Sequence, residues 1–333
     1  MKIVLVIANV ILTLLSKSEE CDRSVLDAIG KDQTRWVAHA QGAEVKECFR
    51  VVDIEGMPVT NANIRCTFWM GGGSAGWQST CGSTDTNGFC TITGVSRADM
   101  EYLVTKGGCY NSHGKIDYMA THSVPAVVDG KWQPYGELRT VVMKRIKKPT
   151  RMSASDGLTY YKYPPQGQWA GFDLYKRDWV YPKGSGDVPD VTIRIDKEKT
   201  EDGYVKTMEV AFTNTPFAGA YEMTEDSYSD LKSMYEANTN ALLPKVFKYT
   251  FKRGKRGSER NELGEGKYLV FRTRTKVDAE GSLMSAHYGM IFGNWRFCEK
   301  GGMAIERIVF NPMPNDANLE DAEMSRRSCL GNK

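Results

Sequence analysis

Along this chain apolar and polar residues alternate in short runs far more often than they recur at helical spacing. Between positions 61 and 70, Ala62, Ile64, Cys66, Phe68 and Met70 fall on one face, with Asn63, Arg65, Thr67 and Trp69 on the other. That period of two is the signature of a half-buried strand. The same alternation runs through Cys48–Val52, ending at the turn Glu55-Gly56, and through Leu138–Ile146. Further on, Val191, Ile193 and Ile195 are answered by Met208, Val210 and Phe212 across the turn Glu201-Asp202-Gly203, a hairpin pattern. Strands are also predicted at Val246–Phe251, Lys267–Val277, Leu283–Ile291 and Ile305–Phe310, with Asp278-Ala279-Glu280-Gly281 as a tight connection. Two stretches break the rhythm. Arg23–Gln41 has helical character, and Asp226–Leu243 places Tyr228, Leu231, Met234 and Tyr235 at helical spacing before Pro244, which predicts a helix there.

These elements predict an all-β protein, and 333 residues give room for two domains with cores of their own. The expected second domain is an antiparallel β-sandwich or jelly-roll-like unit with one helical insertion. The glycines of Gly71–Gly76 are not followed by Lys-Ser/Thr, so they form a loop rather than a phosphate cradle. The run GSTDTNGFC, Gly82 to Cys90, poses a sharper choice. A calcium loop of EF-hand type needs a bidentate glutamate six residues after its glycine, but Gly94 stands there. Asn87-Gly88 between two strand-like runs instead signals a hairpin turn, with Asp85 folding back as an Asx-turn.

Around this turn three motifs follow in order. Val52-Asp53-Ile54-Glu55-Gly56-Met57-Pro58-Val59-Thr60-Asn61-Ala62-Asn63-Ile64 resembles the opening of carboxypeptidase-regulatory-like domains. Thr84-Asp85-Thr86-Asn87-Gly88-Phe89 resembles their T-D-x-x-G-x-F hairpin, and Tyr102–Tyr110 resembles their Y-x-V-x-K-x-G-Y strand and turn, with Cys109 in place of an aromatic. Over about residues 45–147 the resemblance implies a transthyretin-like, seven-stranded Greek-key sandwich, of a kind that serves as scaffold or binding module and brings no catalytic residues. The segments 271–278, 285–289 and 311–320 resemble those of uncharacterised exported bacterial proteins that join such a sandwich to a second β-domain. The expected layout is a signal-like segment at 1–20, a lead-in at 21–44, the regulatory-like sandwich at 45–148, a β-rich domain at 149–320 and a tail at 321–333.

Composition refines this picture little: 41% hydrophobic, 26% charged and a net charge of +3 give no argument for nucleic acid, and no nucleic-acid partner is expected. The N-terminus matters more. Lys2 precedes a run of apolar residues from Ile3 to Leu15, too short for a membrane span but suited to a secretory signal. An exported destination follows: periplasm, cell surface or secreted. Cys21 lacks the small residues of a lipobox, since Glu19 and Glu20 precede it. Eight cysteines fit an oxidising compartment and suggest two bridges in the first domain. Cys90, Cys109, His113 and His122 lack metal-ligand spacing, so no metal and no cofactor is expected.

Candidate binding residues come from two regions. The stretch Tyr160–Tyr181 is rich in aromatics, among them Trp169, Tyr175, Trp179 and Tyr181, which could stack on sugar rings or form a packed seam. Between Lys245 and Lys276 eleven basic residues face three acidic ones. Lys252, Arg253, Lys255 and Arg256, set among glycines, offer a loop for an anionic envelope polymer, a membrane surface, or plain solvent. The basic run Met143–Met152 reads as a lysine-guarded edge strand. For catalysis the one candidate is His287 with Asp278 or Asp316, but no nucleophile motif accompanies it. The functional expectation is a non-enzymatic exported binding or scaffolding module, for instance for a glycan. Its alternatives are a carbohydrate- or peptide-processing hydrolase with its site in the second domain, and a self-associating surface subunit.

Overall fold

The structure, a computed structural model, describes residues 32–323 apart from 72–75, 156, 163, 214–215, 242, 262–265, 294 and 299–301. The signal-like segment, Cys21, Cys329 and most of the tail lie outside the described residues. The described chain is mostly β and falls into two compact units that divide between Arg145 and Ile146. No described helix is long and apolar enough to cross a membrane.

The first unit opens with helix α1 (Gln33–Gln41), which falls within the predicted helical lead-in. Asp32 caps it by accepting from the Thr34 amide at 3.0 Å, and Gly42 ends it at φ 88°. Nine strands follow: β1 (Ala43–Asp53), β2 (Asn63–Trp69), β3 (Trp77–Ser83), β4 (Phe89–Ser96), β5 (Asp99–Thr105), β6 (Ser112–Asp117), β7 (Val127–Val128), β8 (Lys131–Trp132) and β9 (Glu137–Met143). One sheet runs β4-β1-β8-β7 with β9 also paired to β1, and the other runs β3-β2-β5-β6. The alternating residues converge on one core, where Phe49, Ile64, Phe68, Met100 and Trp132 are fully buried. Strand β1 has antiparallel β4 on one side and parallel β9 on the other.

The run around Asn87-Gly88 is a turn, as its residues predict, but not a hairpin. Strands β3 and β4 belong to different sheets, so the turn carries the chain across the sandwich. Asp85 organises it: its carboxylate accepts from the amides of Asn87 at 2.9 Å and Phe89 at 2.8 Å. Gly88 sits at φ 80°, and its carbonyl accepts from the Val51 amide at 2.8 Å. A Cβ at Gly88 would come within 2.5 Å of the Val51 carbonyl oxygen, so the corner needs glycine on two counts. Among the described residues no group of side chains is arranged to hold a metal. The two bridges expected in the first domain are not formed: Cys48, Cys66, Cys81, Cys90 and Cys109 are all thiols. Burial among apolar neighbours pushes the Cys66 thiol up to about 12, which keeps it protonated and unreactive.

The second unit contains β10 (Ser153–Ala154), β11 (Thr159–Lys162), β12 (Ala170–Asp173), β13 (Asp178–Trp179), β14 (Val191–Thr200), β15 (Gly203–Phe212) and β16 (Gly219–Thr224). After these come β17 (Val246–Gly254), β18 (Gly257–Asn261), β19 (Lys267–Val277), β20 (Leu283–Phe292), β21 (Arg296–Cys298), β22 (Gly302–Ile305) and β23 (Arg307–Phe310). They form a six-stranded sheet β13-β12-β14-β15-β17-β18, a five-stranded sheet β10-β23-β20-β19-β16 and a small sheet β11-β22-β21. The main core packs Phe172, Ile193, Met208 and Val210 against Phe271, Ile291, Ile308 and Phe310. The opposite face of the five-stranded sheet is also covered: Tyr268, Val270, Tyr288 and Met290 pack with Met152, Ala237 and Leu319. Strand β19 is therefore buried on both faces from Tyr268 to Thr273.

The predicted helix at Asp226–Leu243 is absent: the described residues of this segment form turns and extended chain. The reason is where its backbone donors go. The Met234 amide donates to the Tyr268 hydroxyl at 3.0 Å, the Asn238 amide to the Tyr221 hydroxyl at 2.9 Å, and the Ala237 amide to the Ala317 carbonyl at 2.8 Å. Tertiary partners replace the i−4 carbonyls of a helix. Met234 and Ala237 cover the open sheet face instead, Leu231 is buried, and Tyr228 is exposed.

Candidate ligand site

The site lies in the second unit and starts from a buried ion cluster. Asp173, at the end of β12, and Asp190, just before β14, are buried, and between them runs a loop that holds β13. Asp173 accepts from the amides of Tyr175, Lys176, Asp187 and Val188 at 2.9–3.0 Å, so one carboxylate ties both ends of that loop. Burial alone would raise its pKa, but these amides and the Arg274 charge outweigh it and hold the carboxyl below its ordinary value. Asp190 accepts from the Leu174 amide at 2.9 Å and the Thr273 hydroxyl at 3.0 Å. Arg274 binds both acids, with Nη2 at 2.8 Å from Asp173 and 3.0 Å from Asp190, and Nε at 3.0 Å from Asp190.

Arg274 reaches this position because β19 slips register there: Thr273 pairs with His287, but the next pair is Lys276 with Ser285. At this bulge Arg274 takes φ 50°, a left-handed conformation that the paired carboxylates compensate. Its guanidinium lies 5.0 Å from the Phe310 ring centre and 5.6 Å from that of Tyr175. Tyr175 stands edge-on to Phe310 at 5.4 Å, and its carbonyl accepts from the Ser153 hydroxyl at 3.4 Å. The Tyr175 ring is thus held by its neighbours while remaining half exposed. It lines an open cleft of about 650 Å³ together with Arg151, Ser153, Asp321 and Glu323. Asp321 pairs with Arg307 at 3.0 Å, and burial pushes its carboxyl above the ordinary range. A fixed aromatic ring beside hydroxyl, guanidinium and carboxyl groups can stack on an apolar ring face and hydrogen-bond its polar rim.

The other aromatic candidates disperse. Trp179 is buried in the unit's own core, edge-on to Phe172 at 5.3 Å, with its indole donating to the Lys162 carbonyl at 3.1 Å. Trp169 is half exposed beneath the Arg194 guanidinium at 5.1 Å, and Tyr181, 82% exposed, projects from the loop. Neither lines the Tyr175 cleft. The basic candidates sit on the β17–β18 hairpin, where only Lys255 and Arg256 form the tip, since Gly254 pairs with Gly257. Lys252 and Arg253 lie within β17; Lys252 faces Glu259 at 3.4 Å and Lys255 faces Asp202 at 3.5 Å, so acidic neighbours dilute the patch.

The catalytic alternative is not assembled. His287 lies across from Thr273 on β20, its Nδ1 is 3.3 Å from the Asn311 carbonyl oxygen, and its ring tilts against Phe310 at 5.6 Å. Burial, reinforced by the Arg274 and Lys276 charges, lowers its pKa. Asp278 accepts from the Ser282 amide at 2.7 Å in a turn, and Asp316 accepts from Lys148 at 3.4 Å and the Asn318 amide at 3.3 Å. Neither aspartate touches His287. The sequence reading missed Asp173, Asp190, Arg274, Arg151 and Asp321. The visible signal was an apolar run, Tyr268-Leu269-Val270-Phe271, flowing straight into Arg272-Thr273-Arg274; charges inside a doubly buried strand require partners or a ligand.

No family model matches the chain, and no curated protein matches it. Solved structures with some likeness include 3-chlorocatechol 1,2-dioxygenase from Rhodococcus opacus 1CP, at 10% identity and a TM-score of 0.25, covering 32% of this chain and 61% of that one. The chain thus spans less than two thirds of the dioxygenase. A shaft pilin from Lactobacillus rhamnosus GG matches at 9% identity and a TM-score of 0.21, covering 84% of this chain and 95% of that one. A protein described as a "putative carbohydrate binding protein" from Bacteroides uniformis matches at 10% identity and a TM-score of 0.19, covering 80% and 97%. At these scores the likenesses carry no argument.

Proposed function

We propose that this chain is a non-enzymatic, exported binding module that holds a glycan in the Tyr175 cleft. The observation that carries the reading is the fixed but half-exposed Tyr175 ring, locked by Phe310 and Arg274 on the wall of a polar cleft. A ring whose freedom is already restricted loses little entropy when a sugar stacks on it. Arg151, Ser153, Asp321 and Glu323 supply donors and acceptors for hydroxyl groups. The lysine followed by an apolar run at the N-terminus supports export.

A glycan array probed with the purified protein, followed by calorimetric titration of the best hit, tests this. Tyr175→Ala should weaken binding about tenfold or more, whereas Trp169→Ala and Tyr181→Ala, outside the cleft, should leave it unchanged. Binding that survives Tyr175→Ala but is lost in Trp169→Ala would move the site elsewhere, and no glycan binding at all would remove the reading.

A further inference from the structure

We infer that a second pocket, separate from the Tyr175 cleft, binds a small carboxylate with an apolar body, and that Arg272 is its anchor. The pocket is an open cleft of about 770 Å³ lined by Phe217, Thr239, Leu243, Pro244, Lys245 and Arg272. Arg272 is only 7% exposed, yet no carboxylate among the described residues lies within ion-pair range of it. Its guanidinium meets two neutral groups: Nε donates to the Phe217 carbonyl at 2.7 Å and Nη1 to the Thr239 carbonyl at 2.6 Å. These two bonds fix the plane of the group and use two of its five N–H donors. Among the described residues Nη2 has no hydrogen-bond partner. The end of the guanidinium formed by Nη2 and the second N–H of Nη1 is therefore left for a ligand.

A buried cation without a counter-charge is destabilising unless an anion neutralises it. A carboxylate laid end-on across Nη1 and Nη2 would supply both the charge and two parallel acceptors. Lys245 on the rim, which has no acidic partner among the described residues, adds a second positive charge. The walls are apolar, with Phe217, Leu243 and Pro244 facing the space, which favours an anion carrying a ring or short aliphatic body over bare phosphate.

The pocket is also built beforehand. The Ala220 amide donates to the Pro244 carbonyl at 3.1 Å and the Phe212 amide to the Lys245 carbonyl at 2.8 Å, fastening one wall to β16 and β15. A Cβ on Gly219 would lie 2.6 Å from the Pro244 oxygen, so this wall rests directly on the strand. The opposite wall is held by Asn238, whose side-chain oxygen accepts from the Asn240 amide at 3.0 Å and whose own amide donates to the Tyr221 hydroxyl at 2.9 Å. Little reorganisation remains for the ligand to drive.

The test titrates the full chain with cyclohexanecarboxylate, glucuronate, the uncharged cyclohexanemethanol and inorganic phosphate, reading heat and thermal shift. Saturable binding of a carboxylate, absent for the alcohol and weaker for phosphate, is expected. Arg272→Gln should weaken it about thirtyfold or more. Lys245→Ala, a surface change that spares the fold, should weaken it about threefold, and Tyr175→Ala should leave it unchanged. Phosphate binding more tightly than either carboxylate, no saturable carboxylate binding by the wild type, or undiminished binding in folded Arg272→Gln overturns the inference. If Arg272→Gln does not fold, unchanged affinity in Lys245→Ala together with loss in Tyr175→Ala overturns it as well, by assigning the anion to the other cleft.

Discussion

Arg272 and Arg274 stand two residues apart on β19 and both are largely buried, yet the protein treats them in opposite ways. Arg274 sits between two buried aspartates and against two aromatic rings, so its charge is answered from within the chain. Among the described residues Arg272 is answered only by two backbone carbonyls, and it lines an open cleft. The first arginine is architecture, since it ties the Asp173–Asp190 loop to the sheet and so positions Tyr175. The second is a charge left over after folding. The difference teaches that a buried cation is informative through its partners: full pairing marks support, and missing pairing marks a place for something else.

Substitution can break this contrast most sharply. Arg274→Met leaves Asp173 and Asp190 buried and uncompensated, and should cost about 3–5 kcal/mol in urea unfolding. Arg272→Met removes a charge that the fold does not neutralise, and should cost less than about 1.5 kcal/mol. Equal losses would show that both arginines serve the fold alike. A second, smaller difference comes with acid. Asp173 has a lowered pKa when folded, so its contribution is present above the ordinary carboxylate value of 3.8 and is lost as pH falls below that value towards the folded pKa. Melting curves from pH 7 to pH 2.5 should show this acid loss, and Asp173→Asn should start less stable but decline less steeply. The smallest effect belongs to His287, whose pKa is also lowered when folded. Its neutral form is favoured by the fold, so stability should fall slightly as pH drops through 6.5, and His287→Gln should flatten that slope.

Much of the scaffold could be read from residue order. Lys267–Val277 and Leu283–Ile291 coincide with β19 and nearly with β20, because bulky and β-branched residues in unbroken runs suit a strand buried on both faces. The Asp85 turn was legible from side-chain chemistry, but its crossing between sheets was not, since Asn-Gly specifies local backbone and not the partners of the strands beyond it. At Asp226–Leu243 apolar spacing was misleading: the same residues satisfy a flat sheet face once Tyr221 and Tyr268 offer hydroxyls to the backbone. Of the residues lining the proposed cleft, sequence alone singled out Tyr175. What distinguishes Arg272 from Arg274 is the position of aspartates 84 and 101 residues away in sequence, and no local pattern carries that.

The parallel contact of β1 with β9 has a consequence for how the first unit comes to exist. Glu47 pairs with Glu137, ninety positions later, whereas Arg50 meets Phe89 within the antiparallel ladder of β1 and β4. The nearer ladder closes the smaller loop and can form first, leaving the other edge of β1 waiting. During synthesis at roughly 5–20 residues per second that edge stays open for about 5–18 s. The strand that ends as the middle of its sheet thus begins as an edge, and the nascent chain is most exposed to a wrong partner in that interval.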